Sequence, residues 1–384
     1  MTRVGAGLSR AESAPEAARE SSLAARTALD GASVDLAFAF LSPHHLDRAE
    51  DAADAVRAEL SPRHLLGCVA QGIVGGRHEV EEGPALAVWA ATLPGAEIEP
   101  FHAEPVETGS GLGIVGFPEP DGASLVALFA DPYTFPAAGL LERLNEDWPT
   151  VPVVGGIAVG GNEAGSQALV VDDRAHEGGA VGVVLRNVRV QTVVSQGCAP
   201  IGRDAVVTRA DGNVVFELAG QPAVERLKEE LEALPAERQL LAARGLLAGL
   251  VIDENKPAYG RGDYLMRGLL GADEESGAIA VGERVRVGQT LRFHVRDAAS
   301  ADEDLRISLA RTLSGTRPAG ALLFTCNGRG QGMFPVPDHD AALVEEAVGG
   351  DAIAGFFCGG EIGPVGGQTF LHGFTATLAV FFED

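Results

Sequence analysis

The sequence predicts an α+β fold in which mixed β-sheets are flanked by helices, with two related domains built from repeated strand-helix-strand units joined by Gly-rich turns. Three observations carry this expectation. Apolar runs of strand length recur along the chain, each followed by a segment whose apolar residues are spaced by three and four. Each of these pairs closes in a glycine-rich stretch. Between the second and third occurrences lie hairpin-like strands, so hairpins and crossovers mix as they do not in a doubly wound sheet. At 384 residues and 46% hydrophobic content, the chain can bury a sizeable core and is long enough for two domains.

Residues 1–30 read as a helical or flexible N-terminal segment, 31–220 as a first domain and 221–384 as a second, with the boundary near Gly220. In the first repeat, Val34 to Phe40 is strand-like and ends at a Ser-Pro-His-His turn. Leu46, Ala49, Ala53, Val56 and Leu60 then mark one face of a helix. His64 to Cys68 leads into the glycine-rich Cys68 to Gly76, and Ala85 to Thr92 is a further strand. The second repeat begins at Ser124 to Ala130, turns at Asp131-Pro132, and continues through a helix with Ala137, Leu140, Leu141 and Leu144 on one side. It closes with Val151 to Gly161, before strands at Ala168 to Val171 and Gly179 to Leu185. Pro94 to Ala123, rich in Pro, Gly and Glu, reads as a long surface excursion.

Strands are expected at Val190 to Gly197 and Asp204 to Thr208, then a helix entered at Pro222 with Val224, Leu227, Leu231 and Leu234 inward. Further strands are expected near Ala278 to Val281, Arg284 to Val287 and Thr290 to Arg296. The helix after them is expected to be capped by Asp302 and to bury Leu305, Leu309 and Leu313. The third repeat runs from Ala321 to Cys326 through the turn Asn327-Gly-Arg-Gly to a helix bearing Ala341, Val344 and Val348, with Asp340 as its cap. It closes with the glycine-rich Gly355 to Gly367 and the strand Phe374 to Phe382. Glycine-rich turns at strand ends allow close backbone approach and are where α/β folds place ligands.

A formal net charge of −25, with Lys228 and Lys256 the only lysines, would repel a phosphate backbone, so nucleic acid is not an expected partner. The longest apolar runs, such as Ala85 to Ala91 and Ala376 to Phe382, fall far short of the roughly 18 residues a membrane span needs. The N-terminus lacks the apolar stretch of a secretory signal, and a cytoplasmic location is the expectation. Cys68, Cys198, Cys326 and Cys358 lie far apart without ligand spacing, so they read as buried free thiols. No metal site and no cofactor is expected.

Several long stretches resemble FIST proteins, the F-box and intracellular signal transduction family, from about Val34 onward. In the first half these are LLGCVAQGIVGG, the Asp131-Pro132-Tyr133 turn and VPVVGGIA. At the junction the similar stretch is QGCAPIGRDAVVTRADGNVVFELAGQPAVERL. In the second half they are GDYLMRGLLGADEESGAIAVGERVRVGQTLRFHVRDA, LLFTCNGRG, and IAGFFCGGEIGPVGG with TFLHGFT. The resemblance implies an N-terminal and a C-terminal FIST domain and a sensory module that recognises small molecules such as amino acids. Family members are often fused to kinase, chemotaxis or cyclase domains, or to an F-box. Here the two FIST halves take up almost the whole length, which leaves open both signalling through a protein partner and binding alone.

The best-equipped loops are those after the two strands of the third repeat. Asn327, Gly328 and Arg329 would face Gly359, Gly360 and Glu361, with His372 as a further candidate. Arg329 offers a charged fork for a carboxylate, backbone N–H groups near Gly359 and Gly360 assist, and Glu361 suits an ammonium group, which together fit an amino acid. Structural alternatives stand beside each role. Arg329 and Glu361 could pair with each other, Asn327 could serve only its turn, and His372 could be a satisfied core residue. Cys326, Cys358, His372 and Glu361 are also the residue types of a thiol-dependent hydrolase or transferase, and an interaction adaptor without a small ligand is the third reading. No phosphate loop, zinc-protease or nucleophile-elbow motif occurs.

Overall fold

A computed structural model describes residues 1–109 and 111–383. In chain order the elements begin with β1 (Arg3–Ser9), α1 (Ala14–Ala28), β2 (Leu36–Leu41), α2 (Ala49–Leu60), β3 (His64–Val69), β4 (Gly72–Gly75), β5 (His78–Val80) and β6 (Leu86–Thr92). They continue with β7 (Glu97–Thr108), β8 (Gly111–Val115), β9 (Leu125–Ala130), α3 (Ala137–Asp147), β10 (Val153–Ala158), β11 (Leu169–Val171), β12 (Arg174–His176), β13 (Ala180–Arg186) and β14 (Val190–Gln196). Next come β15 (Cys198–Asp211), β16 (Val214–Leu218), β17 (Gln221–Pro222), α4 (Ala223–Glu232), α5 (Ala236–Arg244), β18 (Leu246–Val251), β19 (Tyr264–Asp273), β20 (Ala278–Val281) and β21 (Thr290–Arg296). The last are α6 (Ala298–Leu313), β22 (Pro318–Cys326), α7 (His339–Val348), β23 (Ile353–Val365), β24 (Gln368–His372) and β25 (Thr375–Phe382). The fold is α+β. Contacts divide it into two compact units, the first made of residues 1–195, 305–371 and the chain from Thr375 on, the second of 196–304 and 372–374.

The repeat read from the sequence is present in the first unit at the level of strand pairing. β2 runs parallel to β3, β9 to β10 and β22 to β23, and each leading strand takes an antiparallel neighbour on its other side, namely β6, β13 and β25. The correspondence extends to single residues. Gly67, Gly155 and Gly355 lie opposite Ala39, Leu128 and Leu323, and at each a Cβ would run into the carbonyl oxygen of that partner. These glycines therefore serve close strand approach, the packing role the sequence left open for them.

The second and third repeats join edge to edge, because β10 pairs antiparallel with β23, and they form a twelve-stranded sheet. The first repeat sits in a six-stranded sheet of order β1-β6-β2-β3-β11-β12. Phe38, Phe40 and Trp89 from the smaller sheet meet Phe129, Phe324, Phe356 and Phe381 from the larger one, which makes the main core. Fully burying such side chains contributes about 1.5–3 kcal/mol each. On the outer face of the smaller sheet α1 and α2 bury an alanine-rich stripe with Val56 and Leu60. The outer face of the larger sheet is covered by α3 in one region and by Leu305 and Leu309 of α6 with α7 in another. The layers run helix, sheet, sheet, helix.

The second unit holds β15 to β21. β15 pairs with β21 through its first half and with β16 through its second, which closes an antiparallel ring with β18, β19 and β20. α4 buries Val224 and Leu227 as expected, whereas Leu231 and Leu234 are only half-buried.

Several expectations are corrected. Gly355 to Gly367 is not a loop. It is strand through Val365, because its glycines admit a close neighbour on each side, and only Gly366 and Gly367 turn, with φ of 62° and 84°. Pro94 to Ala123 is largely the hairpin β7–β8, tied to β13, and its Ser110 lies outside the described residues. Residues 1–30 supply an edge strand, β1, and a packed helix, α1. Arg284 to Val287 is not a strand. The α6 cap is Asp297, which accepts hydrogen bonds from the N–H (3.1 Å) and hydroxyl of Ser300, while Asp302 lies inside the helix. Asp340 is not the α7 cap either. Asp338 occupies that position, at φ of 61°, and Asp340 is drawn into the interior by Arg329.

Candidate functional site

Within the third repeat, β22 and β23 finish side by side, with Cys326 opposite Cys358, and the Asn327 N–H donates to the Cys358 carbonyl at 2.9 Å. Asn327 and Gly328 then form the centre of a turn closed by the Arg329 N–H on the Cys326 carbonyl at 2.9 Å. The two expected loops are thus neighbours at the carboxyl ends of parallel strands. Gly359, Gly360 and Glu361, however, lie within β23.

Arg329 is completely buried, and so is its partner. The guanidinium donates from Nε to Asp340 Oδ2 at 2.6 Å and from Nη2 to Asp340 Oδ1 at 2.7 Å, a bidentate fork. Thr325 Oγ1 donates to the same carboxylate at 2.8 Å, and His339 Nδ1 lies 3.0 Å from Oδ1 while its ring stacks on Phe334 at 3.5 Å. Burial opposes a charged Asp340. Arg329 foremost, with the hydrogen bonds from His339 and Thr325, outweighs it and holds the carboxyl well below the usual carboxylate range. The fork that could have taken a ligand carboxylate is thus engaged by Asp340.

Glu361 is also completely buried, opposite Gly156 of β10. Between Ala158↔Cys358 and Gly156↔Glu361 the strand β23 carries one residue more than its partner, so Gly359 and Gly360 make a β-bulge. Bulges re-aim the side chains that follow them and are over-represented next to active sites. Oε2 of Glu361 accepts from the Thr375 N–H at 3.0 Å and hydroxyl at 2.9 Å, while buried Oε1 makes no hydrogen bond. Desolvation pushes the carboxyl up to about 8 against the opposing pull of Thr375, Cys326 and Arg329. Near neutral pH Glu361 is therefore mostly a protonated acid. Asn327 Oδ1 and Thr377 Oγ1 are further buried polar atoms without partners, and such groups are uncommon enough to call for an explanation.

Within electrostatic reach of Arg329, Glu79 of β5 accepts the Ala341 N–H at 2.9 Å through Oε1, and Oε2 is unpartnered. Burial first, then the charges of Asp340 and Asp338, push its carboxyl up to about 8. Arg329 thus stands among one ionised and two mostly protonated carboxyl groups. Glu79 gave no sequence signal, because it enters 250 residues away from Arg329 along the chain. Asp340 was legible only as a helix-start residue.

All four cysteines are free and buried. Burial, with the charge of Glu361 next, lifts the Cys358 thiol well above its ordinary range, which disfavours the thiolate a nucleophile needs. His372, at the end of β24, is buried and belongs to the second compact unit.

The three-fold strand-helix-strand scaffold thus carries a buried acid cluster at the ends of its third repeat. The FIST N domain matches residues 35–221 and the FIST C domain residues 223–364, so the two models meet inside the second compact unit. The chain belongs to the FIST family, whose domains are associated with signal transduction and sensing. It is similar along its whole length to an uncharacterized protein of Mycobacterium tuberculosis, 49% identical over 385 residues, with 99% of this chain and 100% of the relative covered. An uncharacterized protein of Mycobacterium bovis is 47% identical over 385 residues, covering 100% of this chain and 99% of the relative. Among the described residues no helix is long and apolar enough to cross a membrane.

Proposed function

We propose that this protein is a sensor that binds a small ligand, an amino acid, at the ends of β22 and β23. The observation that carries the reading is the Glu361 carboxyl, buried, re-aimed by a bulge and left with one oxygen unpartnered. Glu361 Oε1 and Asn327 Oδ1 are acceptors for the ligand's ammonium group. A cation there stabilises ionised Glu361 and so lowers its pKa from about 8. The Asn327 N–H is engaged by the Cys358 carbonyl, so the ligand's carboxylate is taken by the Gly328 N–H, whose partner is the weak acceptor Cys326 Sγ at 3.4 Å. Arg329, fixed by Asp340, supplies positive potential from beneath without giving up its fork. Gly359, exposed where Glu361 is buried, leaves the approach free of a side chain, and Gly360 completes the bulge.

A thermal-shift panel of amino acids and small carboxylates on wild type, Glu361→Gln and Asn327→Ala tests this. Ligand at about 100 times its dissociation constant stabilises the native state by about 2.7 kcal/mol. A shift in wild type that disappears in Glu361→Gln is expected. The reading fails if no compound shifts wild type, or if the shift survives in both variants.

A further inference from the structure

A cleft apart from the Glu361 region is lined by neighbours of the Arg329–Asp340 pair. This cleft of about 570 Å³, within the range of small-molecule sites, is lined by the segment from His78 to Glu82, by Arg10, and by Gln331 and Asp338 of the stretch before α7. Its charge is predominantly acidic, with Glu79, Glu81, Glu82 and Asp338 against Arg10 and His78. Acidity alone would prescribe nothing, since these groups are partly engaged. The Glu81 carboxylate accepts the Gln331 N–H at 2.8 Å, and Asp338 accepts the Glu79 N–H at 2.7 Å and lies 3.3 Å from His78 Nδ1.

What points to a ligand is Glu79. Its side chain is more than nine-tenths buried, it lines the cleft, and its Oε2 has no partner. Burying a carboxyl oxygen without a hydrogen bond costs about 1–3 kcal/mol. Glu79 on β5 and Glu81, just past the end of that strand, both line the cleft and both reach the 330–341 stretch, one at Ala341 and the other at Gln331.

We propose that this cleft binds a small organic dication, one ammonium group at Glu79 and the other at Glu81. Glu79 ionises as the cation arrives. The groups around it are Asp340 and His339 on α7, Asp338 and Arg329 before it, His78 on its own strand and Glu81 just past that strand's end. Of these, Arg329 is committed to Asp340 and leaves the excess negative charge to the ligand. The site rests on its own residues and does not depend on the one at Glu361.

Calorimetric titration of the full chain with putrescine, and with butanediol as its uncharged counterpart, tests the proposal. One saturable putrescine site is expected, tighter at about pH 9 than at about pH 6.5 because less proton must be displaced. Binding should weaken about tenfold or more in Glu79→Gln. Glu81→Gln and the rim-filling Gln331→Trp, neither at a fully buried position, should weaken it too, and they decide the matter if Glu79→Gln does not fold. The proposal is overturned by absence of saturable putrescine binding at both pH values, by equal affinity in the wild type and all folded variants, or by equal binding of butanediol.

Discussion

Replacing Glu361 by Gln is the most informative single perturbation, because the amide has the shape of the protonated acid but cannot ionise. In the native protein the carboxyl titrates at about 8, raised by burial, whereas in the unfolded chain it titrates near the ordinary value of about 4.3. Between those values the native state holds a proton that the unfolded state has released. Stability falls with rising pH wherever the native state binds more protons, so Glu361 weakens the wild type progressively from about pH 5 to about pH 8. The slope for one fully shifted group is about 1.4 kcal/mol per pH unit, or about 2–3 kcal/mol over two units. Glu79, raised in the same direction, contributes equally to both proteins and cancels in the comparison. Urea denaturation of wild type and Glu361→Gln at several pH values should therefore give curves that lie close at about pH 5 and diverge in favour of the variant toward about pH 8. Parallel curves over that range would refute the claim that Glu361 is held protonated.

Three further outcomes follow from the packing. Arg329→Met should cost about 3–5 kcal/mol by stranding the buried Asp340 carboxylate, and Arg329→Met with Asp340→Leu should recover part of that loss, both read from urea midpoints. Gly355→Ala should destabilise by about 1–3 kcal/mol because its Cβ meets the Leu323 carbonyl, with the same sign at Gly67→Ala and Gly155→Ala. Cys358 should resist alkylation at pH values where a free thiol reacts and become labelled only on unfolding, as peptide mapping by mass spectrometry would show.

Much of this architecture was legible before any coordinates. The leading strand and helix of each repeat follow from short apolar runs and three-and-four spacing, and Ala137, Leu140, Leu141 and Leu144 are buried as that spacing requires. The glycine-rich stretches misled because glycine signals a turn and a close strand contact equally well. Only the pairing of Gly67, Gly155 and Gly355 with the carbonyl oxygens of Ala39, Leu128 and Leu323 distinguishes the two roles. For the candidate site, the sequence singles out Asn327, Arg329 and Glu361 but not how they are held. Asp340 competes for Arg329 because a buried guanidinium needs a buried counter-charge. Thr375 and Glu79 reach the cluster through sheet pairing rather than through neighbours in sequence. The bulge at Gly359 and Gly360 depends on register with β10, which no local pattern records.

The central claim, that an amino acid is bound through Glu361, is tested most directly by calorimetric titration of wild type with each amino acid in turn near neutral pH. The account predicts a saturable one-to-one isotherm for at least one of them, lost in Glu361→Gln and weakened in Asn327→Ala. Flat heats for every amino acid, or an isotherm unchanged in Glu361→Gln, would contradict it.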